Sequence, residues 1–126
     1  VADRRFVPFL KRLKELGTEV HVRSVFLQGI LLRSPSELDT NFKELFPLLT
    51  KIRETIINDL LPGYLGKVIA DIKEVDYIVL GVNDVRQLKE NFSSMRKIKK
   101  TNINEFDEFK ISEKVVLPHL WKIKKQ

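Results

Sequence analysis

The sequence contains no cysteine, one methionine, one tryptophan and two histidines. Without thiols it can build neither a disulfide framework nor a thiolate metal site. No metal is expected. No apolar run approaches the ~18 residues needed to span a bilayer, so no membrane is expected among the partners. The opening residues, Val1 to Phe6, are charged and lack the hydrophobic stretch of a secretory signal. A cytoplasmic location fits these features.

Hydrophobic residues make up 43% and charged residues 32% of the 126 positions, an ordinary globular balance. The net charge of +6 is uneven. Arg96, Lys97, Lys99 and Lys100 form one basic cluster, and Lys122, Lys124 and Lys125 form another. Clustered bases can mark nucleic-acid binding. They equally suit the end of a helix, where cations complement the dipole, and a solvated tail. No aromatic interleaving accompanies the charge, and nucleic acid is not expected as a partner.

Phe6, Phe9, Leu10, Leu13 and Leu16 recur at helical spacing and Gly17 follows them. This predicts an amphipathic helix over about 4–16 with a glycine stop. Residues 19–27 are rich in β-branched and apolar types and close on Gln28-Gly29, which predicts a strand ending in a turn. Its two-sided apolar end suits a parallel sheet. Ser34-Pro35-Ser36-Glu37 carries a capping box with proline at the first helical position. The three–four spacing from Phe42 to Leu60 predicts a helix of about five turns, with Pro47 near its start or breaking it. Pro62-Gly63 reads as its end. Tyr64 to Ile72 forms a weaker helical stripe interrupted by Gly66, which disfavours a helix interior.

Residues 75–82 predict the second strand, ending at Gly81. Asp84 and Gln87 form another capping box, with Leu88, Phe92 and Met95 behind it as the apolar stripe. Residues 101–126 read as an irregular tail packed over the domain surface. The alternation of helix and strand calls for parallel strands joined by helical crossovers. Two parallel strands leave both edges uncovered, so the chain reads as one incomplete domain or as one that a partner completes.

Two segments resemble a known family. Arg23-Ser24-Val25-Phe26-Leu27-Gln28-Gly29-Ile30-Leu31 resembles the aldo-keto reductase segment Y-S-P-L-G-x-G-L-L. Val79-Leu80-Gly81, followed by Gln87-Leu88-Lys89-Glu90-Asn91, resembles the segment I-P-G(x5)Q-L-x-E-N of the same family. The order, the separation and the tryptophan-containing tail also match, over essentially the whole chain. The resemblance implies α/β architecture: the C-terminal part of a (β/α)8 TIM barrel, comprising the last two strands with their helices and the tail. A complete barrel needs ~250 residues. On this alignment, residues 1–5 are the stub after an earlier strand. The family's catalytic tetrad of Tyr, Asp, Lys and His has no counterpart here. Tyr64, Tyr77, His21 and His119 are therefore not assigned catalytic roles.

The resemblance implies an NAD(P)(H)-dependent reductase segment, which supplies cofactor loops for hydride transfer to an aldehyde or ketone and has no turnover alone. It favours NADP(H) over NAD(H). A carbonyl substrate is expected only in a complete barrel. Arg23, Ser24, Phe26, Gln28 and Gly29 would line the pyrophosphate and nicotinamide. Gly81, Asn83, Asp84 and Gln87 would hold the adenosine ribose and its phosphate, and Glu90 and Asn91 would face adenine. Arg23 replaces the family's stacking tyrosine, and its guanidinium suits either a ring or a phosphate. Val25 replaces a proline. Asp84 sits where many members carry a 2′-phosphate site of serine with arginine, and a carboxylate there opposes a phosphate unless Arg86 or Lys89 compensates. The alternative reading is a non-catalytic binding or assembly module derived from a half-barrel, self-associating through exposed strand edges.

Overall fold

The computed structural model describes residues 5–121; the residue 1–5 stub, the predicted start of the first helix at residue 4 and the basic cluster at Lys122, Lys124 and Lys125 fall wholly or partly outside that range. Helix α1 (Val7–Glu15) precedes strand β1 (His21–Arg23). Three short 3-10 turns, Ile30–Leu32, Pro35–Glu37 and Thr40–Leu45, lead into α2 (Phe46–Thr55). A further turn at Asn58–Leu60 opens α3 (Leu61–Ala70), followed by β2 (Tyr77–Val79) and α4 (Val85–Lys97). The tail contains a turn at Ile103–Phe106, the one-turn helix α5 (Glu113–Val116) and a turn at Pro118–Leu120.

The expected barrel part is corrected by this architecture. Helical structure accounts for 58% of the described residues, and the sheet has two strands only. They pair in parallel, His21 with Tyr77, Val22 with Ile78 and Arg23 with Val79. Three residues per strand and one neighbour per strand form no barrel wall, which requires each strand to pair on both sides. The parallel orientation itself agrees with the alternation of helix and strand in the sequence.

Both strands are shorter than the apolar runs that predicted them. Ser24 takes φ of 60°, which ends β1 before the run Val25-Phe26-Leu27. Those side chains enter the core from a turn instead: Val25 and Leu27 are buried. A short apolar run is thus satisfied by burial without extended backbone. The sheet buries one face, where Val22 and Ile78 pack on the core, and exposes the other, where His21 lies 4.9 Å from Tyr77.

Helices α2 and α3 form the centre. Leu45, Leu48, Leu49, Ile52, Leu65 and Val68 are almost wholly excluded from solvent. Pro47 stands in the first turn of α2, where its missing N–H costs nothing. The five-turn helix predicted to follow is divided, because Ile56 turns extended and ends α2. Pro62-Gly63, read as a stop, instead opens α3, with Pro62 again in a first turn. The box at Ser34 forms as expected: Glu37 accepts from the Ser34 amide at 2.7 Å. It starts only a 3-10 turn, since Leu38 is extended.

Gly63 and Gly66 explain how α4 docks on α3. A Cβ at Gly63 would lie 2.3 Å from the Ser94 carbonyl carbon and 2.4 Å from the Met95 nitrogen. The two backbones therefore approach closer than any larger residue permits. Gly66, which weakens the helical pattern, faces Met95 on the same side. In consequence the packed side of α4 carries the buried Asn91 and Ser94 beside Met95. The predicted stripe of Leu88 and Phe92 faces solvent.

The tail packs on the core as the sequence suggested. Phe106, Val115 and Val116 are buried, and Phe106 meets Tyr64 edge-on. Trp121 packs edge-on against Phe42 at 5.0 Å and donates from Nε1 to the Val115 carbonyl at 2.8 Å. Helix α1 is held more loosely. Leu10 alone on it is buried, while Phe6, Phe9, Leu13 and Leu16 are exposed. Lys14 anchors it by donating to Asp76 at 2.7 Å, at the approach to β2.

Candidate functional site

Parallel pairing puts the carboxyl ends of both strands on one edge of the sheet. Arg23 lies opposite Val79 in the register, so Ser24 and Leu80-Gly81 leave the sheet side by side. Open α/β sheets bind ligands outside such carboxyl ends. The register thereby brings the two family-like segments to the same place, and no hydrogen bond joins residues 24–29 to residues 80–87 among the described residues.

The first turn is built from left-handed backbone. Ser24, Leu27 and Gln28 have φ of 60°, 48° and 52°, and Gly29 has 83°. For a non-glycine residue this conformation costs roughly 1–2 kcal/mol. Burial of Val25, Leu27, Ile30 and Leu31 holds the turn in place, and the Ile30 amide donates to the Leu27 carbonyl at 3.1 Å. Such strain concentrates at ligand sites because a fixed, unusual backbone aims its amides outward. Arg23, Ser24 and Gln28 are exposed, whereas Phe26 and Gly29 are half-buried.

The second turn runs from Gly81 into α4. A Cβ at Gly81 would meet nothing within 4 Å, and its φ lies outside the left-handed range. Neither packing nor backbone conformation requires glycine there, which leaves an open approach to the main chain. The Asp84 carboxylate accepts from the Gln87 amide at 2.7 Å, and the Gln87 side chain accepts from the Asn83 amide at 2.8 Å. The predicted Asp84 cap is thus present, but the box is only half formed, because the Gln87 side chain returns to Asn83, one residue before the cap, and not to the Asp84 amide. Gly81, Asn83 and Asp84 are exposed and Gln87 is half-buried.

The remaining two predicted residues diverge. Glu90 is exposed and accepts from Arg86 Nη1 at 3.2 Å, while Arg86 Nη2 is also 4.0 Å from Asp84. Arg86, one of the two cations that could balance a phosphate beside Asp84, is therefore engaged by two carboxylates, while Lys89 is not. Asn91 is only 4% exposed, on the flank of α4 turned to α3. Its side chain does not share a surface with Glu90.

Other polar groups are structural. Tyr64 donates its phenolic hydrogen to Glu105 at 3.0 Å, and burial together with that carboxylate pushes its pKa upward, away from acid–base work near neutrality. His21 is paired with Glu19 on the exposed sheet face. No group of three or more His, Asp or Glu side chains is arranged to hold a metal among the described residues. No helix among them is long and apolar enough to cross a membrane.

Sequence reasoning missed the outer face of α4, where Lys89, Phe92, Ser93, Arg96 and Lys97 line an open depression of about 420 Å³. The signal was available in Gly63 and Gly66: two glycines three apart on α3 select the small-residue flank of the next helix as the packed one. Comparison with family models, curated proteins and solved structures finds no match for the chain.

Proposed function

We propose that the chain is the C-terminal segment of an NAD(P)(H)-dependent aldo-keto reductase, supplying the cofactor-binding turns without the catalytic tetrad. The observation that carries the reading is the parallel register, which sets Ser24 and Gly81 at the same sheet edge. Two segments resembling one family's cofactor loops thereby become neighbours, although more than fifty positions separate them.

In this reading the strained turn at residues 24–29 and the open Gly81 offer main-chain amides to the pyrophosphate. Asn83, Asp84 and Gln87 contact the adenosine ribose. NADP(H) stays ahead of NAD(H) on the resemblance alone; the Asp84 carboxylate opposes a 2′-phosphate, and with Arg86 engaged Lys89 is the cation left to compensate. Reduction of a carbonyl compound belongs to the whole reductase, in which the cofactor carries the hydride and the protein orients it. A cytoplasmic location goes with the assignment.

The test is a titration of the purified chain with NADPH and NADH, followed by reduced-nicotinamide fluorescence. Saturable binding that Gly81→Asp weakens at least about tenfold, roughly 1.4 kcal/mol, supports the reading. Absence of binding at millimolar cofactor removes it. A second reading, a non-catalytic assembly module, draws on the two open strand edges and on the exposed Tyr77 and Val79. Concentration-dependent dimerisation in sedimentation experiments, with no cofactor binding, would favour that reading.

A further inference from the structure

The outer face of α4 combines features that its role as a packed helix does not need. Val85, Lys89, Phe92 and Arg96 follow one another at steps of four, three and four residues and so form one stripe. Leu88 and Ser93 flank it. Val85 is 67%, Phe92 60% and Leu88 41% exposed. Isolated exposed apolar residues are ordinary, but a contiguous stripe on one helix face marks a contact surface.

The charge around the stripe is of one sign and unspent. Lys89, Arg96 and Lys97 pair with no carboxylate among the described residues, and Lys99 and Lys100 extend the positive field beyond the helix. Glu90, the acidic group on α4, is occupied by Arg86. Helix α1 offers an instructive contrast. It too exposes apolar side chains, yet Arg5 pairs with Glu113, Arg12 with Glu15 and Lys14 with Asp76. Arg12 and Lys14 on that helix are thus paired and Lys11 alone on it is not, whereas on α4 Lys89, Arg96 and Lys97 are all available.

We propose that this face of α4 is a docking surface for an acidic amphipathic helix of a partner polypeptide. Apolar anchors at three–four spacing on that helix would cover Val85, Leu88 and Phe92, and carboxylates on its flanks would meet Lys89, Arg96 and Lys97. Nucleic acid would satisfy the cations and stack on Phe92, but it would leave Val85 and Leu88 against water. A second copy of the chain carries the same net charge of +6 and meets long-range repulsion.

The probe is a fluorescein-labelled synthetic amphipathic helix with a leucine stripe flanked by glutamates, followed by anisotropy against the full chain. Its controls are the same leucine stripe flanked by lysines, and labelled oligo(dT). The glutamate peptide is expected to bind saturably and to weaken with added salt. Phe92→Ser and the double change Lys89→Glu/Arg96→Glu should each reduce its affinity about tenfold or more. The double variant should instead gain affinity for the lysine peptide, a swap that mere misfolding cannot produce. Equal binding of both peptides, binding of oligo(dT) alone, or self-association that excludes the glutamate peptide would each overturn the proposal.

Discussion

Replacing Gly63 by alanine tests the account of how α3 and α4 are held. The added methyl would lie 2.3 Å from the Ser94 carbonyl carbon, 2.4 Å from the Met95 nitrogen and 2.6 Å from Ser94 Oγ. The first two are main-chain atoms of α4, so relief requires the helices to move apart. Overpacking of this kind costs about 1–3 kcal/mol. Alanine returns at most about 1 kcal/mol of helix propensity, and less here because Gly63 lies in the first turn. The net expectation is a loss of about 1–2 kcal/mol. At about 4 °C per kcal/mol for a domain of this size, the melting temperature falls by roughly 4–8 °C. Gly66→Ala is the internal control. Its methyl would meet the Met95 Sδ at 3.3 Å, the end of a flexible side chain. That contact yields easily, and the propensity gain leaves the change within about 0.5 kcal/mol of neutral or slightly stabilising. Urea denaturation followed by far-UV circular dichroism measures both. Equal stability of Gly63→Ala and the parent chain, or greater damage from Gly66→Ala, would refute the close-approach argument.

Gly29→Ala forces a Cβ onto φ of +83° in otherwise open space, so it should cost about 1 kcal/mol by strain alone; chemical denaturation reads this directly. Asp84→Ala removes the bond from the Gln87 amide and should lower stability by about 1 kcal/mol, with Asp84→Asn recovering most of it in thermal melts. The Asp76 carboxyl is held below its ordinary pKa by the Lys14 ammonium first and the Val20 amide second. Its stabilising effect is therefore present above the unfolded carboxylate range and is lost as pH falls through the lowered folded value. Asp76→Asn should flatten the acid side of the stability–pH curve; an unchanged acid limb in melts from pH 6 to pH 2, a span of about four units around the reference value, would show the pairing to be inconsequential.

The sequence announces local chemistry well where one short-range interaction decides the outcome. The capping box at Ser34, the Asp84 cap, the Gly17 stop and the parallel sense of the strands all belong to this group. Extent is less legible. The box at Ser34 cannot say how far a helix runs, and here Leu38 ends it within one turn. The apolar run 25–27 looks like a strand because burial and extension share one composition, yet a left-handed Ser24 converts it to a turn. Pro62-Gly63 signals a boundary without stating on which side the helix lies. Which flank of α4 is buried depends on glycines about thirty residues away. For the candidate site, the juxtaposition of residues 23–24 with Gly81 follows from parallel pairing. The burial of Asn91 does not, because it is set by that same helix–helix contact.

The pairing of the two strands has a kinetic consequence. Val20 and Asp76, which begin the sheet contact, are separated by 56 positions. Closing so long a loop costs entropy before three residue pairs repay it, so contacts among α2, α3 and α4 are expected to form first. What assembles last against so small a gain also opens first in the native state. Amide hydrogens at Val22 and Val79, which face the partner strand in this register, should then exchange faster than those in the middle of α3. The edge that aligns the two turns would be the most readily loosened part of the chain, and a ligand bridging Ser24 and Gly81 would slow that exchange before it changed anything else.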